Sequence, residues 1–258
     1  MLLATLQPSI FPFGIRIDEP VTTITDLLVT GVCFYAFIKL NSIDSNLRIH
    51  KYLKYYFLSM SIATLFGGIV GHGFLYLFVA SWDAPKALID FLTSFFSEEL
   101  FRETANPWKL PGWLTSMVAV ALLERATIEN ASKAVNMKTE VFFKRLNIIE
   151  LLAFMTITFL SLNFKFVEIH SAYGIMFVVG SFSLFNYIKT KSEASKTYII
   201  AVVIVIASSI IYLTRFSINI WFNYLDYSHT LMAIGAYVFY KGSVLMIKEN
   251  KRELLILH

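Results

Sequence analysis

Apolar positions along this chain fall into seven long runs, at about 22–40, 55–80, 111–127, 147–163, 171–188, 197–214 and 223–247. Several hold almost no charge over roughly 18 residues, the length at which an apolar stretch spans a bilayer as a helix. Residues 199–211 carry no charge at all, unlike the alternating ten-residue strands of a membrane barrel. The run at 111–127 is the weakest, because Glu124 and Arg125 end it early. The pattern predicts an all-α integral membrane protein, a seven-transmembrane helix bundle forming one domain over residues 1–258. Residues 1–13 lack a basic start and are interrupted by Pro8 and Pro12. They read as an extended or surface-lying lead-in rather than a secretory signal.

Composition agrees with the pattern. The 258 residues are 57% hydrophobic and 16% charged, with a mean hydropathy of +0.64. A water-soluble domain carries about 25% charged residues. The single cysteine, Cys33, excludes an internal disulfide and a cysteine-based zinc site. Placed on the seven runs, 16 of the 22 Lys and Arg residues fall on one face, among them Lys39, Arg48, Lys144, Lys189 and Lys248. The positive-inside rule then puts the N-terminus outside and the C-terminus inside. Basic loops of this kind set topology and touch anionic lipid. The expected partners are therefore membrane lipids and not nucleic acid, and the expected location is a bacterial cytoplasmic membrane.

One outer segment, 81–110, is longer than the rest. Residues 87–102 have apolar positions at helical spacing together with Asp90, Glu98 and Glu99. That is the pattern of a helix lying in the interface, either as a flap over an outer cavity or as a packed connector.

Ionisable groups at membrane depth are costly and by default point to function. Asp26 lies about one turn into the first run and His72 about 12 Å below the outer end of the second. Asp226 and His229 occupy the first turns of the seventh, with Asn223 preceding at the same spacing of three. These groups share one depth range on three runs. Each also has an ordinary reading. His72 could bond a neighbouring carbonyl, and Asp26, Asp226 and His229 could be residues of first helical turns. Glu168 and His170 stand at the outer mouth of the fifth run, where an interfacial role is expected. Glu124 and Glu150 form a separate pair, expected to bridge to Arg125 or Arg145. Gly67 and Gly71 form a GxxxG beside His72, a spacing that lets another helix approach closely.

Imidazole and carboxylate together suit zinc with three protein ligands and an open position. The metal lowers the pKa of its water towards ~7 and generates a nucleophile for an ester or amide. Asp226 and His229, three apart, can share one helical face. The candidate metal ligands are His72, His229 and Asp226, with Asp83 or Asp26 as proton acceptor or orienting partner.

The seven runs, the outer N-terminus and the histidines on the second and seventh runs resemble the CREST superfamily of seven-span metal-dependent hydrolases. That superfamily includes alkaline ceramidases and progestin/adiponectin receptors. It carries Ser-x-x-x-His on the second span, an Asp shortly after, and His-x-x-x-His on the last. His72, Asp83 and His229 match three of those positions. The serine position is Gly68 and the first histidine of the last pair is Leu225. The resemblance implies zinc and a lipid amide substrate, and leaves the third metal ligand to Asp226 or Asn223.

Three functions follow as expectations. The first is a membrane-embedded zinc-dependent hydrolase of a lipid amide or ester, with its substrate in an outer-side cavity. The second is a non-enzymatic membrane protein, a ligand sensor or structural subunit, in which the polar groups bond pairwise and enclose no cavity. A separation of His72 and His229 beyond about 10 Å would favour it, since zinc ligands lie near 2 Å from the metal. The third is a proton-coupled carrier using the outer cluster with Glu124 and Glu150. It ranks last because the repeat symmetry common in carriers is not evident.

Overall fold

The computed structural model describes residues 7–78, Ser94, 107–132 and 134–256. Among these residues the protein is all-helical, with seven long rods. They are α1 (Pro20–Asn41), α2 (Arg48–Gly73), α3 (Leu110–Asn130), α4 (Met137–Ser161), α5 (Lys165–Thr190), α6 (Glu193–Thr214) and α7 (Tyr224–Ile256). The nearest approach to a strand is a single antiparallel bridge, Ile10 to Ile17, across the turn at Pro12–Gly14.

Five of the rods, α1, α2, α5, α6 and α7, are long and apolar enough to cross a membrane. Their large side chains confirm what the sequence pattern implies about direction. Ile200, Val203, Ile210 and Leu213 of α6 and Phe177 and Ile188 of α5 point outward, while the buried set is rich in Thr, Ser, Asn, Asp, Glu and His. A water-soluble fold would turn these the other way. The chain is an integral, multi-pass membrane protein.

Helix α1 packs between α2 and α7; α6 packs on α7, and α3 on α2. Helices α4 and α5 lie against α3, and α5 also meets α6. The core runs through α1, α2, α3, α6 and α7 and contains Cys33, Leu40, Leu53, Phe57 and Phe239.

Several helix bounds differ from the hydropathy pattern: α5 starts at Lys165, not near 171, and α2 ends at Gly73, not near 80, so His72 lies at the end of its rod and not about 12 Å below it. Helix α2 begins at Arg48, not near 55, and α4 at Met137, not near 147. The added turns carry Arg48, Lys51, Lys54, Lys138, Lys144 and Arg145, charged residues that interrupt the apolar count but whose long stems can follow the helix. Asn136 caps α4 by accepting from the Thr139 N–H at 2.8 Å, as expected of an N-cap side chain. Arg48 and Lys144 both pair with Glu129, at 3.0 and 3.3 Å. His50 is buried in the first turn of α2, its ring nitrogens 2.8 and 3.0 Å from the carbonyls of Leu40 and Ser45.

Two rods are interrupted by π-helical turns, Gly67–Gly73 in α2 and Tyr173–Val179 in α5. Such insertions concentrate at functional sites. Each lies beside one of the polar clusters described next.

Candidate functional site

The first cluster joins α1, α2 and α7. Asp26, six residues into α1, lies between two imidazoles. Its Oδ2 is 3.8 Å from His72 Nε2 and its Oδ1 is 3.5 Å from His229 Nδ1. The two rings meet edge to face with centroids 6.0 Å apart. Glu19 approaches His72 from the other side, Oε2 to Nδ1 at 2.5 Å. A ring that donates Nδ1–H to Glu19 keeps Nε2 as its lone-pair nitrogen, directed at Asp26.

The chain builds this contact from small residues. A Cβ on Gly67 would lie 3.0 Å from Asp26 Oδ2. One on Gly68 would lie 3.0 Å from Asp26 Cβ and 3.2 Å from the Thr23 carbonyl. The glycines let α1 press its Asp26 turn onto the π turn that ends in His72. Gly68 stands at the serine position of the hydrolase pattern; here the Asp26 side chain fills that space. Gly71, the other member of the GxxxG, meets only Phe66 O of its own helix at 3.9 Å.

Asp226 lies beside this cluster, with its oxygens already engaged. Its Oδ2 accepts from the Asn223 N–H at 2.6 Å and from Gln7 Nε2 at 2.7 Å, and its Oδ1 accepts from Thr22 Oγ1 at 3.0 Å. Asn223 Oδ1 in turn accepts from the Leu225 N–H at 2.8 Å. Asn223 and Asp226 thus form a reciprocal cap at the start of α7. Thr25 Oγ1 connects the two groups of residues, 3.5 Å from Asp226 Oδ1 and 3.3 Å from His229 Nδ1. Asp83 lies outside the described residues, as does nearly all of 81–110; Pro107–Lys109 forms a short turn leading into α3.

Sequence reasoning placed Asp26, His72 and His229 at one depth, and the structure brings them together. It gave no role to Gln7, whose Oε1 accepts from the Val21 and Thr22 N–H groups at the start of α1. Nor does the sequence pattern single out Glu19, whose carboxylate meets His72. Glu19 has a left-handed backbone, φ +42°, and its side chain reaches His72.

The second cluster joins α3, α4 and α5. One ligand-type atom each of Glu124, Glu150 and His170 lies within 4.8 Å of the others, a grouping able to hold a metal ion. His170, expected at the interface, is fully buried at 0% exposure. The expected bridges from Glu124 and Glu150 to Arg125 or Arg145 do not form among the described residues. Both carboxylates turn inward instead, and Glu150 Oε1 lies 3.9 Å from His170 Nε2. Asn147 Nδ2 donates to Glu124 Oε2 at 3.2 Å.

Long apolar rods enclosing polar clusters define an all-helical multi-pass membrane protein. A family model described as a family of unknown function, DUF6962, matches residues 21–99 and 91–248, and the chain belongs to that family. No curated protein matches it.

Proposed function

We propose that the protein is a membrane-embedded, zinc-dependent hydrolase of a lipid amide or ester, with Asp26, His72 and His229 as the metal-binding set. The observation that carries this reading is the position of Asp26 between the two imidazoles. Two ligands about 2.0–2.1 Å from one tetrahedral zinc lie roughly 3.3 Å apart. The contacts are made by different oxygens of Asp26, Oδ1 at 3.5 Å to His229 and Oδ2 at 3.8 Å to His72, both too long for hydrogen bonds, so the carboxylate would bind through both oxygens or turn to bring one ion within reach of both rings. The donors suit zinc chemically, and Glu19 supplies the carboxylate that commonly orients a metal-bound imidazole.

Bound zinc would supply a Lewis acid and an acidified water. The chain's own groups have separate tasks. Glu19 fixes the His72 tautomer, and Asp226 with Thr25 holds the first turn of α7 so that His229 faces Asp26. Asp226, first considered as a ligand, is on this reading a positioning residue.

A groove supports a lipid substrate. Leu27, Leu28, Gly31, Val32, Tyr35 and Tyr237 line a volume of about 370 Å³ on the surface of α1 and α7. Its lining runs from Leu27 to Tyr35 along α1 and includes Tyr237 of α7, and on this reading it takes the acyl chain of the substrate.

The reading takes all seven rods as spans, with the N-terminus outside. Helices α3 and α4 carry too much charge to qualify on hydropathy. At about 1.5 Å per residue, however, the 21 residues of α3 cover a hydrocarbon core of about 30 Å. Their deepest acids, Glu124 and Glu150, face inward. The non-enzymatic alternative expects pairwise bonding and distant histidines. Asp226, the Glu19–His72 pair and the Thr25–His229 contact fit pairwise bonding; the 6.0 Å separation of the His72 and His229 rings does not fit distant histidines.

The test is release of fatty acid from a fluorescent N-acyl or O-acyl lipid by purified protein in micelles. Turnover should fall by at least about 100-fold with a chelator and in Asp26→Asn, His72→Ala and His229→Ala. Turnover unaffected by any of these would overturn the reading.

A further inference from the structure

We propose that Glu124, Glu150 and His170 form a second site, for a divalent transition-metal cation, inside the bundle and separate from the Asp26–His72–His229 cluster. The three side chains are buried without partners for several of their polar atoms. Relative exposures are 1% for Glu124, 8% for Glu150 and 0% for His170. Glu124 Oε1, Glu150 Oε1 and both ring nitrogens of His170 have no hydrogen-bond partner among the described residues. A buried polar atom left unpaired is costly, and membrane interiors offer no bulk water in compensation. One ligand-type atom from each of the three residues lies within 4.8 Å of the other two, where a single cation would engage an oxygen of each carboxylate and one ring nitrogen together.

Two carboxylates with a neutral imidazole sum to −2, which a divalent ion cancels. A monovalent ion would leave a net negative charge in a low-dielectric interior, which is strongly unfavourable. Donor type narrows the choice further. Calcium and magnesium prefer all-oxygen shells, whereas one imidazole with two carboxylates suits zinc or manganese.

Asn147 occupies Glu124 Oε2 and so leaves Oε1 as the oxygen facing the cluster. A Cβ at position 174 would overlap Glu124 Oε1 and Val120 Cγ1, so only glycine fits there. Gly174 lies in the π turn Tyr173–Val179, just after His170. The Phe154 ring, 5.7 Å from the imidazole, forms an apolar wall on another side. An ion here would fasten α3, α4 and α5 together, and α3 and α4 are the two rods least favoured by hydropathy.

The experiment is metal analysis of the full chain in detergent, stripped with EDTA and reloaded with zinc or manganese chloride. The unmutated protein should bind two equivalents. Glu124→Gln, Glu150→Gln and His170→Asn should each remove one, and the double variant His72→Ala/His229→Ala should remove the other. If the hydrolase reading fails but this proposal holds, the unmutated protein binds one equivalent, lost in Glu124→Gln and retained in His72→Ala/His229→Ala. Melting adds a second readout that leaves this site unmutated. In His72→Ala/His229→Ala, reloading with zinc should raise Tm, and adding Glu124→Gln should abolish that rise. The same metal content in Glu124→Gln, Glu150→Gln and His170→Asn as in the unmutated protein overturns the proposal. So does the absence of a metal-dependent Tm rise in His72→Ala/His229→Ala, the result expected if Glu124 and Glu150 merely share a proton.

Discussion

Glu19 holds His72 from behind, its Oε2 2.5 Å from the ring Nδ1, while the opposite nitrogen of the same ring faces Asp26. The carboxylate belongs to the lead-in and the histidine to the end of α2. Closing this contact therefore folds the start of the chain onto the site.

Replacing Glu19 by Gln keeps the shape and removes the charge that orients the ring. Metal affinity at the Asp26–His72–His229 cluster should fall by roughly 10–100-fold, with melting little changed. Competition against a chromogenic chelator measures it. Unchanged affinity would make Glu19 incidental to the site.

Gly68 and Gly71 separate packing from mere glycine content. Gly68→Ala drives a methyl to 3.0 Å from Asp26 Cβ and 3.2 Å from the Thr23 carbonyl. It should cost about 1–3 kcal/mol, as overpacking does. Gly71→Ala, with its nearest neighbour at 3.9 Å, should leave Tm nearly unchanged. Equal melting of the two variants would refute the close approach of α1 and α2.

Gly31 lies in the α1–α7 groove, and a Cβ there meets nothing within 4 Å. Gly31→Leu should fill the groove without destabilising the fold. Hydrolysis of long-chain substrates should drop by at least about tenfold, with metal content unchanged. If long-chain and short-chain substrates respond alike, the groove does not hold the acyl chain.

Asp18 closes the lead-in on the π turn, its N–H donating to the Gly73 carbonyl at 3.0 Å. Burial pushes its carboxyl upward, but hydrogen bonds from Arg16 and Ser9 outweigh this and hold it below the ordinary carboxylate range. A depressed folded-state pKa stabilises above the unfolded value and is lost as pH falls through the folded one. Asp18→Asn should therefore lower Tm slightly at neutral pH, and the difference should shrink well below about pH 4. A difference constant from neutral pH to acid would remove the charge from this account.

The helices were legible where charge was absent. In α1 and α6, long apolar stretches placed the rods to within a few residues, whereas α7 runs on to Ile256 because Lys248, Glu249, Lys251 and Arg252 break the apolar count. The first turns of α4 were hidden because Lys138, Lys144 and Arg145 break the apolar count, although Asn136 offers a cap signal. The meeting of Asp26, His72 and His229 was readable from depth, since polar groups in a bilayer seek one another. The role of Asp226 was readable only in part. The Asn223-x-x-Asp226 spacing suits a helix cap as well as a ligand, and packing decided between them. His170 was placed at the rim because hydropathy locates a span's end but not which face turns inward. Its pairing with Glu124 and Glu150 depends on how α5 packs against α3 and α4, which no local pattern encodes. Gln7 left no signal at all.

The most direct measurement is anomalous scattering at the zinc edge from crystals of the zinc-loaded protein. The account predicts a peak enclosed by Asp26, His72 and His229, about 2 Å from a nitrogen of each imidazole. Density in that position that does not scatter anomalously, or anomalous peaks confined to Glu124, Glu150 and His170, would contradict the hydrolase site.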